Sequence, residues 1–453
     1  MCDMGLPHRL ARNLTLLLLA LAVVETAVVF VYYLRFPPGD FDAYRNAALA
    51  VRDGGRLYET ALIWRDLGYA NAAPSPQPTE TTPYIYPPLL AVVMVPFTWL
   101  PHGIAHALWC ALMVGSVAGA AAVIGRLLSD GSTRQWVAVA SAVTIVLFVS
   151  QPVRASLTSK QIDGTILLLL ALSLLAFLRR RDTLAGLWFG LAITIKPFVV
   201  LLTIYYLWKG GWRTVVVAGS CSAVLALAPF PFLAPGTFSD YLNGTGYYAG
   251  PVYVASPMIQ SVYAVLVRTF MVNQFAQPLV DAPWLVLPLR VVLSGLILLF
   301  ALSRVSRQRD LPPTTLALEY GLILGVGLLA IPVAEDFHFT YLALAFAAGA
   351  LVLVRQWQTR HALAERRPLP SLLPVVYAGY LGVLCLPALR LISHAFYRYG
   401  DGPVGYPLAL LMSFQAVLLL VGVLLLASTL QADRRQQAET RPAQPVAGTI
   451  QQT

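Results

Sequence analysis

Residues 14–44 read LTLLLLALAVVETAVVFVYYLRFPPGDFDAY, a long apolar run followed by two carboxylates. Residues 14–33 are almost continuously apolar and have the length of about 20 residues that a helix needs to cross a bilayer. No small-residue cleavage site follows, so we expect an uncleaved anchor rather than a signal peptide. Two carboxylates, Asp40 and Asp42, come soon after the span. The stretch therefore predicts acidic side chains held at a membrane surface.

The composition is that of a membrane protein. Of 453 residues, 58% are hydrophobic and 11% are charged, and the mean hydropathy is +0.69, whereas a soluble domain carries about 25% charged residues. The net charge of +10 predicts no nucleic-acid partner, because basic residues collect at membrane edges. The four cysteines are scattered without metal-ligand spacing, which predicts neither disulfides nor a zinc site. The sequence contains no nucleotide-binding loop, and we expect no cofactor.

Apolar segments recur along the whole chain. They predict an all-α, polytopic integral membrane protein with about 10–12 transmembrane helices in one domain, residues 1–428. Two long irregular stretches, 35–85 and 233–283, interrupt the series, and the tail 429–453 is expected to be disordered. The apolar segments are 14–34, 86–100, 104–126, 135–150, 163–178, 184–207, 214–232, 284–303, 314–332, 337–354, 371–392 and 405–428.

The basic residues predict the orientation in the membrane. They cluster near residues 9–12, 126–134, 179–181, 209–213, 304–309, 355–367 and 434–441. Placing these clusters, and with them the tail, in the cytoplasm satisfies the positive-inside rule. The stretches that then face the other side, and that are richer in Tyr, Trp, Pro and acidic residues, are 35–85, 151–162, 233–283, 333–337 and 393–404.

Two segments conflict with this orientation if each crosses once. The segment 86–100 is short and carries three prolines, so it or a neighbour is expected to be re-entrant. The segment 184–207 would place one basic cluster on the wrong side. Because proline removes a backbone donor, Lys196-Pro197 favours two half-helices that meet at Lys196. We therefore expect Lys196 at the non-cytoplasmic tip of a broken pair.

Asp40 and Asp42 are the first candidates for chemistry. Phe41, Tyr44 and Ala48 have helical spacing, which predicts a short surface helix that ends at Gly54-Gly55 and holds the carboxylates at a fixed depth. A carboxylate near a low-dielectric surface can serve as a general base. Alternating residues at the start of a helix point in different directions, so we expect only one of Asp40 and Asp42 to face the site. Solvated interfacial charge is the alternative.

Further polar residues stand at the starts of later apolar segments. Tyr86 precedes Pro87-Pro88, which suits either an aromatic belt or a rigid wall of a cavity beside the first loop. Lys160 and Gln161 are suited to contact a phosphate or a sugar hydroxyl. Asp163 begins a uniformly apolar segment, where it either caps the helix or belongs to the site.

Lys196 and His338 are the remaining candidates. Lys196 has the most apolar surroundings of any basic residue, and an intramembrane charge is by default a functional hypothesis. An anionic phosphate is the expected partner, with a snorkelling lysine as the alternative. His338 follows Glu335 and Asp336 in a short turn whose spacing matches no metal motif. Either acids cap this turn, or His338 contacts a phosphate or orients the acceptor.

These residues, in this order, resemble the membrane glycosyltransferases of family 87 in the GT-C superfamily. The resemblance covers roughly residues 14–355. A partial match to a Gly-Gln-x-Asn motif occurs at residues 160–163, and the positions of Lys196-Pro197 and His338 match a Lys-Pro break and a late turn ending in His. The first-loop and second-span patterns of the family match Asp40, Phe41, Tyr44, Ala47, Ala48, Gly55, Leu57, Tyr58 and Tyr86-Pro87-Pro88-Leu89.

The resemblance implies an inverting transfer of a hexose, with mannose as the family's type sugar, at the non-cytoplasmic face of the cell membrane. The donor would be a polyprenyl-phosphate-linked sugar and the acceptor a lipid or glycan. Asp40 would be the general base, and Asp42 a neighbour that tunes or positions it. The other expected site residues are Lys196, His338 and Lys160 for the donor phosphate, and Tyr44, Gln161, Asp163 and Tyr86 for substrate.

Two other classes of protein fit part of the pattern. A transporter or flippase for a lipid-linked sugar would show inverted repeats with paired broken helices, and the sequence contains one clear break. A non-catalytic membrane scaffold would leave Lys196 unexplained. The glycosyltransferase is therefore the predicted function.

Overall fold

The computed structural model describes residues 8–66, 82–362, 372–386 and 411–440. Within these ranges the regular structure is helical and contains no β-strand, which confirms the all-α class. The α-helices are α1 (His8–Leu34), α2 (Asp40–Asp53), α3 (Glu59–Asp66), α4 (Pro88–Met94), α5 (His102–Leu128), α6 (Thr133–Val149), α7 (Gln151–Thr158), α8 (Asp163–Leu178), α9 (Asp182–Ile195), α10 (Thr203–Trp208), α11 (Trp212–Leu227), α12 (Thr237–Tyr248), α13 (Pro251–Val254), α14 (Val262–Phe270), α15 (Val286–Arg304), α16 (Pro313–Ala330), α17 (Ala343–Ala362), α18 (Leu373–Leu384) and α19 (Phe414–Thr440). Turns of 3₁₀-helix cover Val95–Trp99, Pro197–Leu202, Phe230–Phe232, Pro283–Leu285 and Asp336–Leu342.

The protein is a multi-pass membrane protein. In the described ranges, 7 helices are long and apolar enough to cross a membrane, and α6 and α7 form a further apolar pair that is bent by 65° at its break. Several of the predicted segments instead form apolar helices of 10–17 residues. The described ranges therefore contain fewer full-length spans than the predicted ten to twelve. The long helices are Arg9–Leu34, His102–Leu128, Trp212–Phe232, Pro283–Arg304, Pro313–Ala330, Asp336–Gln358 and Phe414–Gln437.

Basic clusters from distant parts of the chain meet at one end of the helix bundle, which we call the basic end. The guanidinium of Arg355 on α17 lies 3.0 Å from a carboxylate oxygen of Asp130, which follows α5. Arg309 Nη1 donates to Asp182 Oδ2 at the start of α9 (3.1 Å). Lys209 Nζ donates to the backbone carbonyl of Gln308, the residue before Arg309 (2.7 Å). The grouping of these clusters agrees with the predicted charge map.

The predicted break at Lys196 is confirmed. Helix α9 ends at Ile195, Lys196 is extended with φ −129° and ψ 91°, and a 3₁₀ turn begins at Pro197. Proline disfavours helical backbone in the residue before it and has no N–H for the helix ladder. Because α9 starts at the basic end and α10 returns to it at Lys209, Lys196 forms the tip of a hairpin. We call the end that it reaches the site end.

The segment 86–100 does not cross the bundle. The hydroxyl of Tyr86 lies 3.2 Å from that of Tyr44 at the start of α2. The guanidinium of Arg52, near the end of α2, donates to Thr98 Oγ1 (3.3 Å). Both ends of the segment therefore contact α2, and α4 with its 3₁₀ extension lies beside this helix. Two apolar helices, α5 and α6, then lie between the first loop and α7, which is the even number that the predicted orientation requires.

Helix α2 is the predicted short surface helix. Phe41, Tyr44 and Ala48 are each 0% exposed and form its inner face, as their spacing predicts. Gly54 ends the helix in the left-handed region, with φ 71°, a conformation that glycine adopts without steric cost. The helix therefore holds its first turn, which contains Asp40, against the bundle.

The prediction of disorder from residue 429 onward is wrong for its first part. Helix α19 continues to Thr440, and residues 441–453 lie outside the described ranges. Polar contacts at the basic end hold this extension. Thr315 Oγ1 donates to Asp433 Oδ2 (2.6 Å), and Arg434 forms an ion pair with Glu319, which is fully buried on α16. Composition alone did not show these partners.

Candidate active site

A cavity of about 260 Å³ opens at the site end. It is formed where the first turn of α2, the turn after α7, the tip at Lys196 and the turn before α17 come together. Residues between α12 and α14 close the remaining wall. The lining residues are Asp40, Ala43, Tyr44, Thr82, Pro83, Ile85, Tyr86, Pro87, Ser159, Gln161, Lys196, Pro197, Phe198, Tyr248, Tyr253, Met258, Glu335, Phe337 and His338.

Asp40 enters the cavity from the first turn of α2. Its backbone N–H donates to the carbonyl of Ser159 (3.1 Å), which ties the start of α2 to the turn after α7. Gly39 makes this approach possible, because it has φ +53° and a Cβ there would lie 3.0 Å from the same carbonyl oxygen. The Asp40 side chain is half-buried, and its Oδ2 accepts a hydrogen bond from Gln161 Nε2. The carboxylate is therefore oriented and still borders the cavity.

Gln161 connects Asp40 to the opposite wall. Its amide oxygen accepts hydrogen bonds from Tyr86 (2.7 Å) and Tyr44 (3.2 Å). Lys196 Nζ lies 3.4 Å from the same oxygen. These contacts fix which way the amide points, so its nitrogen faces Asp40. The structure thus brings together five of the predicted site residues in one hydrogen-bonded chain.

Lys196 is the centre of the second half of the site. It is 3% exposed, and its Nζ lies 2.8 Å from Oδ1 of the fully buried Asp163 and 3.2 Å from Nε2 of His338. Tyr341 also donates to Asp163. Ile162, not Asp163, is the N-cap residue of α8, and Asp163 lies in the first turn of this helix. Asp163 is the counter-ion of Lys196 and lies behind the cavity wall rather than in it.

The tautomer of His338 follows from its backbone contact. The N–H of Glu335 donates to His338 Nδ1 (3.0 Å), so Nδ1 carries no proton and a neutral ring holds its proton on Nε2. That proton lies on the side of Lys196. Two donors, Nε2–H and the ammonium, are therefore close together at the cavity wall. Such a pair is suited to an anion.

Glu335 is a second carboxyl group in the cavity, and the sequence did not identify it as a site residue. Burial raises the pKa of Glu335 to about 8, with the negative charge of Asp40 adding to the effect and Lys196 opposing it. The carboxyl group is therefore mostly protonated at neutral pH. A carboxyl group that stays protonated at neutral pH can donate a hydrogen bond to a substrate. The predicted acid cap is present as well, since the Glu335 side chain accepts from the backbone N–H of His338.

Two predicted site residues lie elsewhere. Asp42 points away from the cavity and pairs with His102, at 2.7 Å between Oδ1 and Nε2. Lys160 is 1% exposed and its Nζ donates to the carbonyl of Tyr33 (2.6 Å) at the end of α1. The left-handed backbone of Lys160 (φ 59°) turns its side chain toward α1, while the next residue, Gln161, faces the cavity. Neither Asp42 nor Lys160 is therefore among the residues that line the cavity.

Tyr248 and Tyr253 were missed by sequence reasoning. Both lie in the long loop 233–283, where tyrosines are frequent and no spacing distinguished these two. Tyr248 is 3% exposed and lines the cavity, and its hydroxyl has no hydrogen-bond partner among the residues that the structure describes. Because a buried unpaired hydroxyl costs free energy, this oxygen is suited to bind a substrate group.

An apolar groove adjoins the cavity. Two neighbouring pockets of about 460 and 150 Å³ lie between α11 and the hairpin that has Lys196 at its tip. They share Ile193, Ser222, Ala226 and Leu227. The smaller one shares Pro87 and Pro197 with the cavity. A hydrophobic chain could therefore lie along α11 while a polar group attached to it occupies the cavity.

Comparison with known proteins identifies relatives. The model of glycosyltransferase family 87 matches residues 84–332, more than half of the chain. This range contains Tyr86, Gln161, Asp163 and Lys196, whereas Asp40 precedes it and His338 follows it.

Individual relatives share part of the chain. A polyprenol-phosphate-mannose-dependent alpha-(1-2)-phosphatidylinositol mannoside mannosyltransferase of Mycolicibacterium smegmatis is 27% identical over 42% of this chain and 43% of its own. An alpha-(1->3)-arabinofuranosyltransferase of Mycobacterium tuberculosis is 28% identical over 37% of this chain and 42% of its own. The matches thus span less than half of these relatives. The crystal structure of ArnT from Cupriavidus metallidurans bound to undecaprenyl phosphate has a TM-score of 0.42 and 15% identity, covering 94% of this chain and 79% of that one.

Proposed function

The chain belongs to glycosyltransferase family 87, and we propose that it transfers a hexose, with mannose as the first choice, from a polyprenyl-phosphate-linked donor to a lipid or glycan acceptor. One observation carries this proposal. The cavity places the half-buried carboxylate of Asp40 and the ammonium of Lys196 on either side of Gln161, which contacts both. A base and an anion-binding group are the two parts that such a transfer requires.

Asp40 is the general base of the proposed reaction. It takes the proton of the acceptor hydroxyl as that oxygen attacks the anomeric carbon of the donor sugar. The bond between the anomeric carbon and the phosphate oxygen breaks, its electron pair stays with the phosphate, and the configuration inverts. Gln161 orients the carboxylate through its Nε2, and the tie from Asp40 N–H to Ser159 fixes the depth of the first turn.

Lys196 and His338 stabilise the leaving phosphate. Asp163 already neutralises one side of the Lys196 ammonium, so the added anion uses the remaining donor capacity together with His338 Nε2–H. Stabilisation of developing charge by fixed donors in a water-poor site is usually the largest single catalytic contribution. A protonated Glu335 keeps the cavity from holding a second carboxylate charge beside Asp40, which favours binding of an anionic donor.

The apolar groove along α11 accommodates the hydrocarbon chain of the donor. It reaches the cavity at Pro87 and Pro197, so a chain in the groove brings its phosphate to Lys196. The site end, opposite the basic clusters, is the proposed non-cytoplasmic face, because basic loops are retained in the cytoplasm. The donor would then approach from the outer leaflet.

A flippase for a lipid-linked sugar is the second candidate, and one observation favours it. The bend of 65° between α6 and α7 gives the described part a second interrupted apolar segment beside the one at Lys196. Broken spans around a polar site are frequent in transporters. A flippase requires no general base, so replacement of Asp40 separates the two candidates.

The test compares Asp40→Asn with Asp42→Asn in purified protein reconstituted in liposomes. Labelled polyprenyl-phosphate mannose and a panel of lipid and glycan acceptors are supplied, and the product is measured. We expect Asp40→Asn to lower the transfer rate by about 10³-fold, within the range for loss of a general base. Asp42→Asn removes only the exposed pair with His102 and should change the rate less than about fivefold.

Equal activity of Asp40→Asn and the wild type would exclude Asp40 as the base. Movement of labelled donor across the membrane without any transfer product, unchanged by Asp40→Asn, would favour the flippase instead.

A further inference from the structure

Helix α12 exposes apolar side chains although it is not one of the membrane-spanning helices. Phe238 and Leu242 are 53% and 52% exposed, whereas Asp240 is only 8% exposed. The guanidinium of Arg56 forms hydrogen bonds to both carboxylate oxygens of Asp240 (2.9 Å each). A helix on a soluble surface would show the opposite arrangement, with the acid outside and the apolar residues inside.

The exposed surface of α12 is itself divided in two. With about 100° between successive residues of a helix, Phe238 and Leu242 project from one side. Ser239 and Asn243 project about 100° farther round and are also exposed. The third side, which contains Asp240 and Tyr248, is buried against the protein. Helix α12 therefore has an apolar and a polar exposed side next to each other.

The apolar side continues the surface of a membrane span. Val224 and Leu227 of α11 are 64% and 60% exposed, as expected of side chains that face lipid. Phe232, at the end of the same span, is 84% exposed. The ring of Phe230 then contacts that of Phe238 edge-on, with centroids 5.5 Å apart. No polar interruption separates the span from α12 along this face.

We propose that α12 lies in the interfacial layer of the bilayer at the site end, with Phe238 and Leu242 in the lipid and Ser239 and Asn243 toward water. An amphipathic helix with adjacent apolar and polar sides takes this position. The lipid bilayer is the partner of this surface, because the exposed face is continuous with that of α11. The Arg56–Asp240 pair attaches α12 to the segment that follows α2. This contact keeps the axis of α12 parallel to the membrane plane.

This position brings lipid close to the cavity. Tyr248 lies in the cavity wall, and ten residues separate it from Phe238, which is about 15 Å along a helix. A substrate held in the bilayer therefore reaches the cavity with its headgroup alone. This consequence rests on the proposed transfer reaction, whereas the position of α12 does not.

The experiment measures the environment of neighbouring residues on α12. Single cysteines replace Leu242 or Asn243 in a chain whose native cysteines are changed to alanine, and each carries a nitroxide spin label. The protein is reconstituted in liposomes of phosphatidylcholine and phosphatidylglycerol. We expect the Leu242→Cys label to collide with oxygen, which partitions into lipid, about threefold more often than with a water-soluble nickel chelate, and the Asn243→Cys label to show the reverse.

The pair Phe238→Cys and Ser239→Cys repeats the measurement one turn earlier and should give the same alternation. Val224→Cys on α11 is the reference for lipid, and Asp53→Cys at the end of α2 is the reference for water. Equal and high accessibility of the Leu242 and Asn243 labels to the nickel chelate would overturn the proposal. The readout requires no sugar transfer, so failure of the proposed function would leave this result interpretable.

Discussion

Two buried lysine–carboxylate pairs lie at opposite ends of the bundle and have different surroundings. At the basic end, Lys209 and Glu319 are both fully buried, and Glu319 also accepts from Arg434. No described cavity reaches this pair. At the site end, Lys196 and Asp163 are buried to the same degree, but the ammonium borders a cavity. Burial and pairing are therefore common to both, and only access to a cavity distinguishes a site from a structural contact.

The same contrast applies to single groups. Glu335 lines the cavity with a raised pKa, whereas Glu319 is surrounded by cations. Tyr248 lines the cavity with an unpaired hydroxyl, whereas the hydroxyl of Tyr377 donates to the carbonyl of Phe346 (2.7 Å) between α17 and α18. Each pair compares a residue that lines the cavity with a buried residue of the same type that does not.

Replacement of Lys196 should affect sugar transfer, whereas replacement of Lys209 should affect stability. Lys196→Met is expected to lower the rate of sugar transfer by about 10²–10³-fold, because the leaving phosphate loses a fixed cation. Lys209→Met should leave the transfer rate of the folded protein unchanged and lower the free energy of unfolding by about 3–5 kcal/mol, since it leaves Glu319 short of a partner in the interior. Transfer assays and thermal unfolding in detergent measure the two effects.

Double variants control for loss of folding. Lys196→Met with Asp163→Asn, and Lys209→Met with Glu319→Gln, each remove both charges of a pair. Both should be more stable than the single lysine variants, but only the variant at the basic end should retain transfer. If Lys196→Met with Asp163→Asn folded and transferred sugar normally, the distinction between the two pairs would be lost.

Glu335 should make donor binding depend on pH. Its pKa is raised to about 8, so the carboxyl group is protonated below that pH and ionised above it. Ionisation adds a negative charge beside Asp40, Asp163 and Asp336, with Lys196 as the opposing charge. We expect the KM for the anionic donor to rise up to about tenfold per pH unit above pH 8. Steady-state kinetics between pH 6 and 10 measure this change.

Glu335→Gln, which is neutral at every pH, should remove the rise in KM, and Glu335→Asp should keep it. An identical alkaline rise in Glu335→Gln would assign the titration to another group. Glu319→Gln is the matched variant outside the cavity, and it should leave the shape of the profile unchanged.

The sequence predicted those parts of the molecule that depend on local chemistry. The clusters of basic residues predicted the basic end, because basic residues near the ends of spans follow the positive-inside rule. The Lys196-Pro197 pair predicted the tip of the hairpin, because proline acts on its own neighbours. The helical spacing around Asp40 predicted a helix that holds one carboxylate toward the bundle.

What the sequence did not predict depends on contacts between distant residues. Lys160 and Gln161 are adjacent, and a single left-handed residue decides which of them faces the cavity. Asp163 begins an apolar segment, where the sequence predicts a cap, but contact with Lys196, 33 residues later, makes it a counter-ion. Tyr248 has no distinguishing spacing at all. Only the packing of α2, the Lys196 hairpin and loop 233–283 around one cavity shows these roles.

Removal of the Tyr248 hydroxyl should have the smallest effect on sugar transfer. If this oxygen binds a sugar or acceptor hydroxyl, Tyr248→Phe should lower kcat/KM by about 2–10-fold, the value of one net hydrogen bond. Its stability should stay equal or rise, because the free protein holds the hydroxyl unpaired. Transfer kinetics and thermal unfolding of the same preparation measure both quantities.

Tyr377→Phe is the matched control, since it removes a hydroxyl that already has a partner far from the cavity. It should lower the free energy of unfolding by about 1 kcal/mol and leave kcat/KM unchanged. The two tyrosines would then respond in opposite ways to the same chemical change. If Tyr248→Phe instead lost stability and kept full activity, its hydroxyl would have a partner within the protein, and cavity lining alone would not identify substrate-binding residues in this site.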